Sequence, residues 1–243
     1  MFTMKPAYIP QSIVDAEIDF RWQGAKEHIG PTETVTPLFL HVGNTTSNAQ
    51  ISLCAGVLLW GSWRFKDMAE SDHNFELAEA AFAYQVDWRY VDIEAGPKGK
   101  APDQPPALSA TVQLGRYLRN AIDMEEFWES YYQPVSNTFH SIHIVSHILP
   151  KESKREFQHW LDVIVERIKR NYAKPDEAFK KRKQFHTEDE YQLFLARHRG
   201  PALPPQILDP NFDYKPEERE NLVRAFLQSL DISRNRYLRN PEA

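Results

Sequence analysis

Glycine and cysteine are both scarce in this chain of 243 residues. Its nine glycines are about half of the roughly 17 expected at average usage. Because glycine supplies the positive φ of tight turns and lets backbone approach phosphate, this scarcity argues against hairpin-rich sheets and phosphate-cradling loops. The single cysteine, Cys54, excludes an internal disulfide and a cysteine-built zinc site. It is typical of a reducing compartment.

Long apolar runs and secretory signals are also missing. The longest apolar run extends from Leu53 to Trp60, far short of the ~20 residues that span a bilayer. The residues after Met1 lack the apolar core of a signal peptide. We therefore expect a cytoplasmic protein that makes no contact with a membrane.

Three common catalytic motifs are absent as well. The chain has no Gly-x-Ser-x-Gly nucleophile elbow and no His-Glu-x-x-His metalloprotease motif. Residues 95–101 lack the glycine spacing of a phosphate-binding loop, and Ala101 stands where Ser or Thr would bind Mg²⁺. Cys54 lies within an apolar helical pattern, where a buried and inert thiol is expected. No segment therefore identifies a reaction.

Apolar patterns with the period of a helix follow Ser47 through most of the chain. They predict helices at 48–66, 72–92, 107–121, 123–132, 135–149, 152–173, 175–185 and 188–199, and a last one after Pro216. Capping boxes, Ser153 with Glu156 and Thr187 with Glu190, mark two of the helix starts. We predict a mainly α protein, a multi-helix bundle.

An irregular N-terminal segment precedes the predicted bundle. Residues 18–22 alternate apolar and charged side chains, which is the period of a strand, and the apolar residues 37–43 suggest a second short strand. Glycines, lysines and prolines at 95–106 predict a hinge or a mobile loop. We interpret residues 1–243 as a single helical domain.

Three histidines recur on one strip of the helix predicted at 135–149. His140, His143 and His147 fall within an arc of roughly 60° when the residues are drawn at about 100° each. Imidazoles bind metals and transfer protons near neutral pH. A zinc or iron site would need a further carboxylate, and Glu126 and Glu129 are the nearest along the chain. The alternative is that the imidazoles are structural and find their partners within the protein.

Charge is distributed unevenly along the chain. Residues 1–150 carry 10 Lys and Arg against 18 Asp and Glu, whereas residues 151–243 carry 19 against 16, so their net charges are −8 and +3. The second part holds a basic patch made of Arg167, Arg170, Lys180, Lys181, Arg182 and Lys183. A solvated helix face, an anionic protein partner and nucleic acid all fit such a patch. The total charge of −5 works against non-specific binding of nucleic acid.

Two aromatic clusters are candidate partner contacts. Trp60 and Trp63 form the first cluster, and Trp128, Tyr131 and Tyr132 form the second. Tryptophan and tyrosine dominate the energetics of many interfaces. The alternative is that these residues belong to the core, as most large aromatic side chains do.

We expect a non-enzymatic cytoplasmic protein that binds another protein, of the regulatory or toxin-neutralising kind. In that case acidic residues among the first 150 would meet a basic partner surface. The alternative is a metal-dependent enzyme with zinc or iron as its cofactor. It would use His140, His143 and His147, with Glu126 or Glu129 as a further ligand or base.

Overall fold

The computed structural model describes residues 4–22, 24, 36–67, 71–96, 105–123, 133–177 and 180–242. Within these ranges the protein is mainly α and contains no strand, only two isolated β-bridges. The helices are α1 Gln11–Asp15, α2 Pro37–Gly43, α3 Ser47–Arg64, α4 Ser71–Val86, α5 Pro106–Asp123, α6 Gln133–Ile148, α7 Lys154–Asn171, α8 Glu188–Arg199 and α9 Arg219–Gln228. None of these helices is both long and apolar enough to cross a membrane.

Helix α3 forms the centre of the fold, because all 18 of its residues are buried. A helix that is apolar or small on every side is typical of a core position. Helices α4, α5 and α6 pack around α3, and α1, α7 and α8 contact it as well. Gly61 permits the closest approach, since a Cβ at this position would lie 2.3 Å from Cδ1 of Leu114 on α5.

The predicted bundle is confirmed, and most predicted helices begin and end close to the observed bounds. The Thr187 hydroxyl accepts from the N–H of Glu190, whose carboxylate accepts from the N–H of Thr187, so this capping box is confirmed. Ser153 does not cap α7. Its backbone is already helical, because the turn at residues 150–153 leads directly into α7.

The two predicted N-terminal strands are wrong. Residues 37–43 form α2, because Pro37 occupies the first helical position and the Thr36 hydroxyl accepts from the N–H of Phe39 at 3.1 Å. A short, mostly apolar run fits the period of a strand as well as that of a helix, so the N-cap at Thr36 decides that these residues form a helix. Residues 18–22 are irregular.

The predicted basic helix at 175–185 is also wrong in the part that the structure describes. Residues 176–177 form a bend, and Arg182–Gln184 forms a single 3-10 turn. The segment has no apolar stripe whose burial would offset the cost of ordering a helix. The predicted helix at 123–132 lies outside the described residues after Asp123, where α5 ends.

Two arginines fasten irregular segments to the helices through backbone carbonyls. Arg64 of α3 donates to the carbonyls of Ile13 at 3.1 Å, Ala16 at 2.5 Å and Glu17. Arg167 of α7 donates to four carbonyls of the proline-rich segment: Ile207 at 2.9 Å, Asp209 at 2.7 Å, Pro210 at 3.3 Å and Phe212 at 3.0 Å. A guanidinium has five N–H donors in a rigid fork, so it can hold several carbonyls at once.

The C-terminal segment lies against α4 and the turn that follows it. Asn235 donates to the carbonyl of Glu76 and to the carboxylate of Glu79. The N–H of Asp92 donates to the carbonyl of Tyr237 at 2.8 Å. Buried apolar residues from Ile9 to Leu238 thus belong to one cluster. The single domain over 1–243 and the hinge at 95–106, of which 97–104 lie outside the described residues, stay predictions.

Candidate functional site

Helix α6 carries His140, His143 and His147 on one half-buried strip, as the spacing predicts. The ring of His140 lies beside Tyr117, with centroids 5.2 Å apart, and the ring of His143 meets Phe139 at 4.4 Å. Burial lowers the pKa of both His140 and His143 below the ordinary imidazole value, and for His140 the neighbouring charge of His143 lowers it further. Burial therefore favours the neutral form of both imidazoles.

His147 connects α6 to the irregular N-terminal segment. Its Nε2 donates to the carbonyl of Arg21 at 2.7 Å. Its ring meets Phe20 edge to face, with centroids 6.1 Å apart. These contacts give His147 a structural role that needs no ligand.

The metal hypothesis gains no support from the residues in place. Among the residues that the structure describes, no three His, Cys, Asp or Glu side chains are grouped so that they could hold a metal ion. Glu126 and Glu129, the carboxylates that the sequence offered, lie outside the described residues. A zinc or iron site therefore stays a prediction.

The hypothesis that Trp60 and Trp63 contact a partner is wrong, because both belong to the core. Trp60 is 0% exposed and Trp63 is 5% exposed. Trp60 packs edge to face on Phe157 with centroids 5.2 Å apart, and Trp63 packs on Phe75 at 5.0 Å. Their helix, α3, is covered on all sides.

The second aromatic cluster, Trp128, Tyr131 and Tyr132, lies outside the described residues. It therefore stays a prediction.

The basic patch divides into two parts with different surroundings. The side chains that face solvent are Arg170, Lys180, Lys181, Arg182 and Lys183. Arg182 among them pairs with Glu188 at 2.6 Å. Arg167 does not belong to this surface, because its guanidinium is bound to the carbonyls of residues 207–212.

Residues 15–19, called the acidic segment from here on, form a surface that the sequence reasoning missed. Asp15, Glu17, Ile18 and Asp19 are all exposed, and Ile18 shows 47% of its area. Within the described ranges none of the three carboxylates forms an ion pair; Asp15 accepts a hydrogen bond from Gln11 at 2.9 Å. The sequence shows the alternating carboxylates, but of the three only Asp19 lies within residues 18–22, whose alternation predicts a strand.

The acidic segment is held in place on both sides. Arg64 binds the carbonyls of Ala16 and Glu17 within it. Just beyond it, Phe20 packs on Phe65 with centroids 5.7 Å apart. Burial lowers the pKa of Arg64, and three backbone carbonyls accept hydrogen bonds from its guanidinium. The segment therefore presents its carboxylates from a fixed backbone.

Cys54 offers no nucleophile. It is fully buried, its Sγ lies 3.8 Å from the hydroxyl of Ser141, and burial raises its pKa to about 12. A thiol in this state has almost no reactive thiolate at neutral pH. The inert thiol expected from the sequence is confirmed.

No protein-family model matches the chain, and there is no significant match among curated proteins or among solved structures. The residues and their geometry are therefore the only basis for a function.

Proposed function

We propose that the protein is a non-enzymatic cytoplasmic binding protein, of the regulatory or toxin-neutralising kind, whose acidic segment docks on a basic surface of a protein partner. The observation that supports the proposal is the exposed set of Asp15, Glu17 and Asp19 on a backbone fastened by Arg64. No carboxylate of this set is neutralised by an ion pair within the described residues.

The fixed backbone favours binding because little freedom is lost when the partner docks. A segment that is already ordered avoids the entropic cost that a flexible segment would incur on association. The three carboxylates steer a basic partner during encounter, and their effect weakens as salt screens them. Ile18 adds an apolar contact at the centre of the segment.

The local charge supports the same choice of partner. Arg21 is the one cation among residues 6–22, and with Arg64, which binds the segment's carbonyls, it makes two local cations against three carboxylates. The net charge of −8 over residues 1–150 adds a longer-range field of the same sign. A basic protein surface is therefore the partner whose charge complements this side of the molecule.

The test uses the full chain as bait in extracts of its native host. A stoichiometric partner identified in this way is then purified, and its Kd is measured at several salt concentrations. The variant Asp15→Asn, Glu17→Gln, Asp19→Asn should weaken binding about tenfold, because three partly screened charge contacts of ~0.5 kcal/mol each sum to ~1.5 kcal/mol. Most of the loss should appear in the association rate.

A matched control neutralises three exposed carboxylates elsewhere, Asp67, Glu152 and Glu217. This variant has the same net charge but keeps the acidic segment, so its affinity should stay close to wild type. Equal losses in the two variants would show that only total charge matters. Such a result, or a host extract that yields no stoichiometric partner, would refute the proposal.

A further inference from the structure

An open groove of about 550 Å³ lies where α7 and α8 end. Its lining shares no residue with the acidic segment. One wall consists of Asn171, Tyr172, Ala173 and Pro175, and the other consists of Ala196, Arg197, Gly200 and Pro201. Thr46, just before α3, lies between them and is 4% exposed. The lining is mostly small and apolar, and its one cation, Arg197, pairs with Glu177 at 3.0 Å.

The wall formed by residues 172–174 is a short strand-like edge. The N–H of Thr46 donates to the carbonyl of Tyr172 at 2.9 Å, and the N–H of Lys174 donates to the carbonyl of Asn44 at 3.0 Å. Thr45 and Ala173 therefore form an antiparallel bridge in which their own N–H and C=O groups point away from each other. Within the described residues, the N–H and C=O of Ala173 have no hydrogen-bond partner.

An exposed backbone N–H and C=O at an edge can pair with an added extended chain. Ala173 is exposed and lines the groove, so its two unpartnered backbone groups lie at the wall of the groove. Pro175 has no N–H and cannot continue the pairing. The edge therefore accepts one pair of backbone hydrogen bonds, which suits a short segment and not a long sheet.

The bottom of the groove contains a second unused polar group. The Thr46 hydroxyl is buried and has no hydrogen-bond partner among the described residues. Gly200 packs directly against Thr46: its φ is +74°, and a Cβ there would lie 2.6 Å from the Thr46 side chain.

The charge around the groove selects the class of ligand. The described residues 169–177 and 180–184, which include the edge at 172–174, hold seven Lys and Arg against two Asp and Glu, a net charge of +5 in a chain whose total is −5. Lys180, Lys181 and Lys183 are exposed and form no ion pair within the described residues. This sign is opposite to that of the acidic segment, so the two surfaces do not share a ligand class.

We propose that this groove binds an extended acidic peptide segment of a protein partner. One residue of the peptide pairs its N–H and C=O with those of Ala173, its apolar side chains fill the groove, and its carboxylates face the exposed cations Arg170, Lys180, Lys181 and Lys183. This inference does not depend on the acidic segment and survives if that surface has no partner.

The experiment uses the full chain labelled with ¹⁵N and a blocked five-residue peptide of alternating glutamate and valine. Saturable shifts should centre on the amides of Ala173 and Gly200, with a Kd below about 1 mM. The analogue with lysine in place of glutamate should bind at least about tenfold more weakly. N-methylation of one alternate set of peptide amides should abolish binding, whereas methylation of the other set should be tolerated, because a strand pairs through one edge.

A matched pair of protein variants tests whether the peptide binds in this groove. Ala196→Trp fills the groove at an exposed helical position and should abolish binding, whereas Ala225→Trp, at an exposed position of α9, should not. The proposal is overturned if the groove amides do not shift, if both methylated sets bind equally, or if Ala196→Trp binds normally. A single-stranded oligonucleotide that shifts these amides more strongly than the peptide would overturn it in favour of nucleic acid.

Discussion

Replacement of Arg167 by methionine should strongly destabilise the protein. The guanidinium donates to four backbone carbonyls of residues 207–212 at distances of 2.7 to 3.3 Å. Each hydrogen bond contributes a net ~1 kcal/mol, so removal of the four should lower the free energy of unfolding by about 4 kcal/mol. Methionine keeps the volume of the aliphatic stem, which isolates the loss of the hydrogen bonds from the loss of packing.

Two further substitutions provide comparisons for this loss in the free energy of unfolding. Arg167→Lys keeps the charge, but a single ammonium can reach one or two of the four carbonyls, so its loss should be ~2–3 kcal/mol. Arg170→Met, one turn further along α7 on an exposed position, should change stability by less than ~0.5 kcal/mol. Urea denaturation followed by tryptophan fluorescence and by circular dichroism measures all three free energies of unfolding.

The reasoning about Arg167 would be refuted by either of two results. One is a loss below about 1 kcal/mol for Arg167→Met, which would mean that water replaces the guanidinium at the carbonyls without cost. The other is an equal loss for Arg167→Lys and Arg167→Met, which would make the planar fork irrelevant. In the expected case, residues 201–215 also become more sensitive to protease in the methionine variant.

Two other predictions concern α6. Since burial lowers the pKa of His140 and His143 in the folded state, their contribution to stability is complete above the ordinary imidazole pKa of ~6.5 and is lost as the pH falls below it. The urea midpoint should therefore fall from pH 7 to pH 5, and by less in the double variant His140→Gln, His143→Gln; an equal fall in both proteins would contradict this. Protein purified without a histidine tag should contain less than stoichiometric zinc and iron, whereas stoichiometric metal that His143→Ala removes without unfolding would favour the metal-dependent enzyme.

The helical parts of the fold were predictable because their information is local. The apolar stripe at Phe157, Leu161, Ile164 and Ile168 identifies α7 without reference to the rest of the chain. All four side chains are buried in the structure. The Thr187 capping box likewise depends on four consecutive residues. The error at residues 37–43 arose because seven residues are too few to separate the two periods, and the deciding signal was the cap at Thr36.

The candidate surfaces were less predictable, since exposure depends on which helix is central. Trp60 and Trp63 resemble interface anchors in the sequence, and their burial follows from the packing of α4, α5 and α6 around α3. The histidine strip on α6 was predicted correctly as a strip, but the contact between His147 and Arg21 joins residues 126 positions apart. No local pattern contains such a pair.

Composition and periodicity were thus sufficient for a mainly α protein with an apolar helix after Ser47 and an uneven charge, because each follows from residues close together in the chain. The roles of Arg64 and Arg167 were not accessible in that way, since the carbonyls that they bind lie 40 to 51 residues away. The same limit applies to the acidic segment and to the groove beside Ala173. Both surfaces arise where irregular backbone is bound against helices. The hydrogen bonds that hold this backbone join residues far apart in the chain, so no local sequence pattern predicts them.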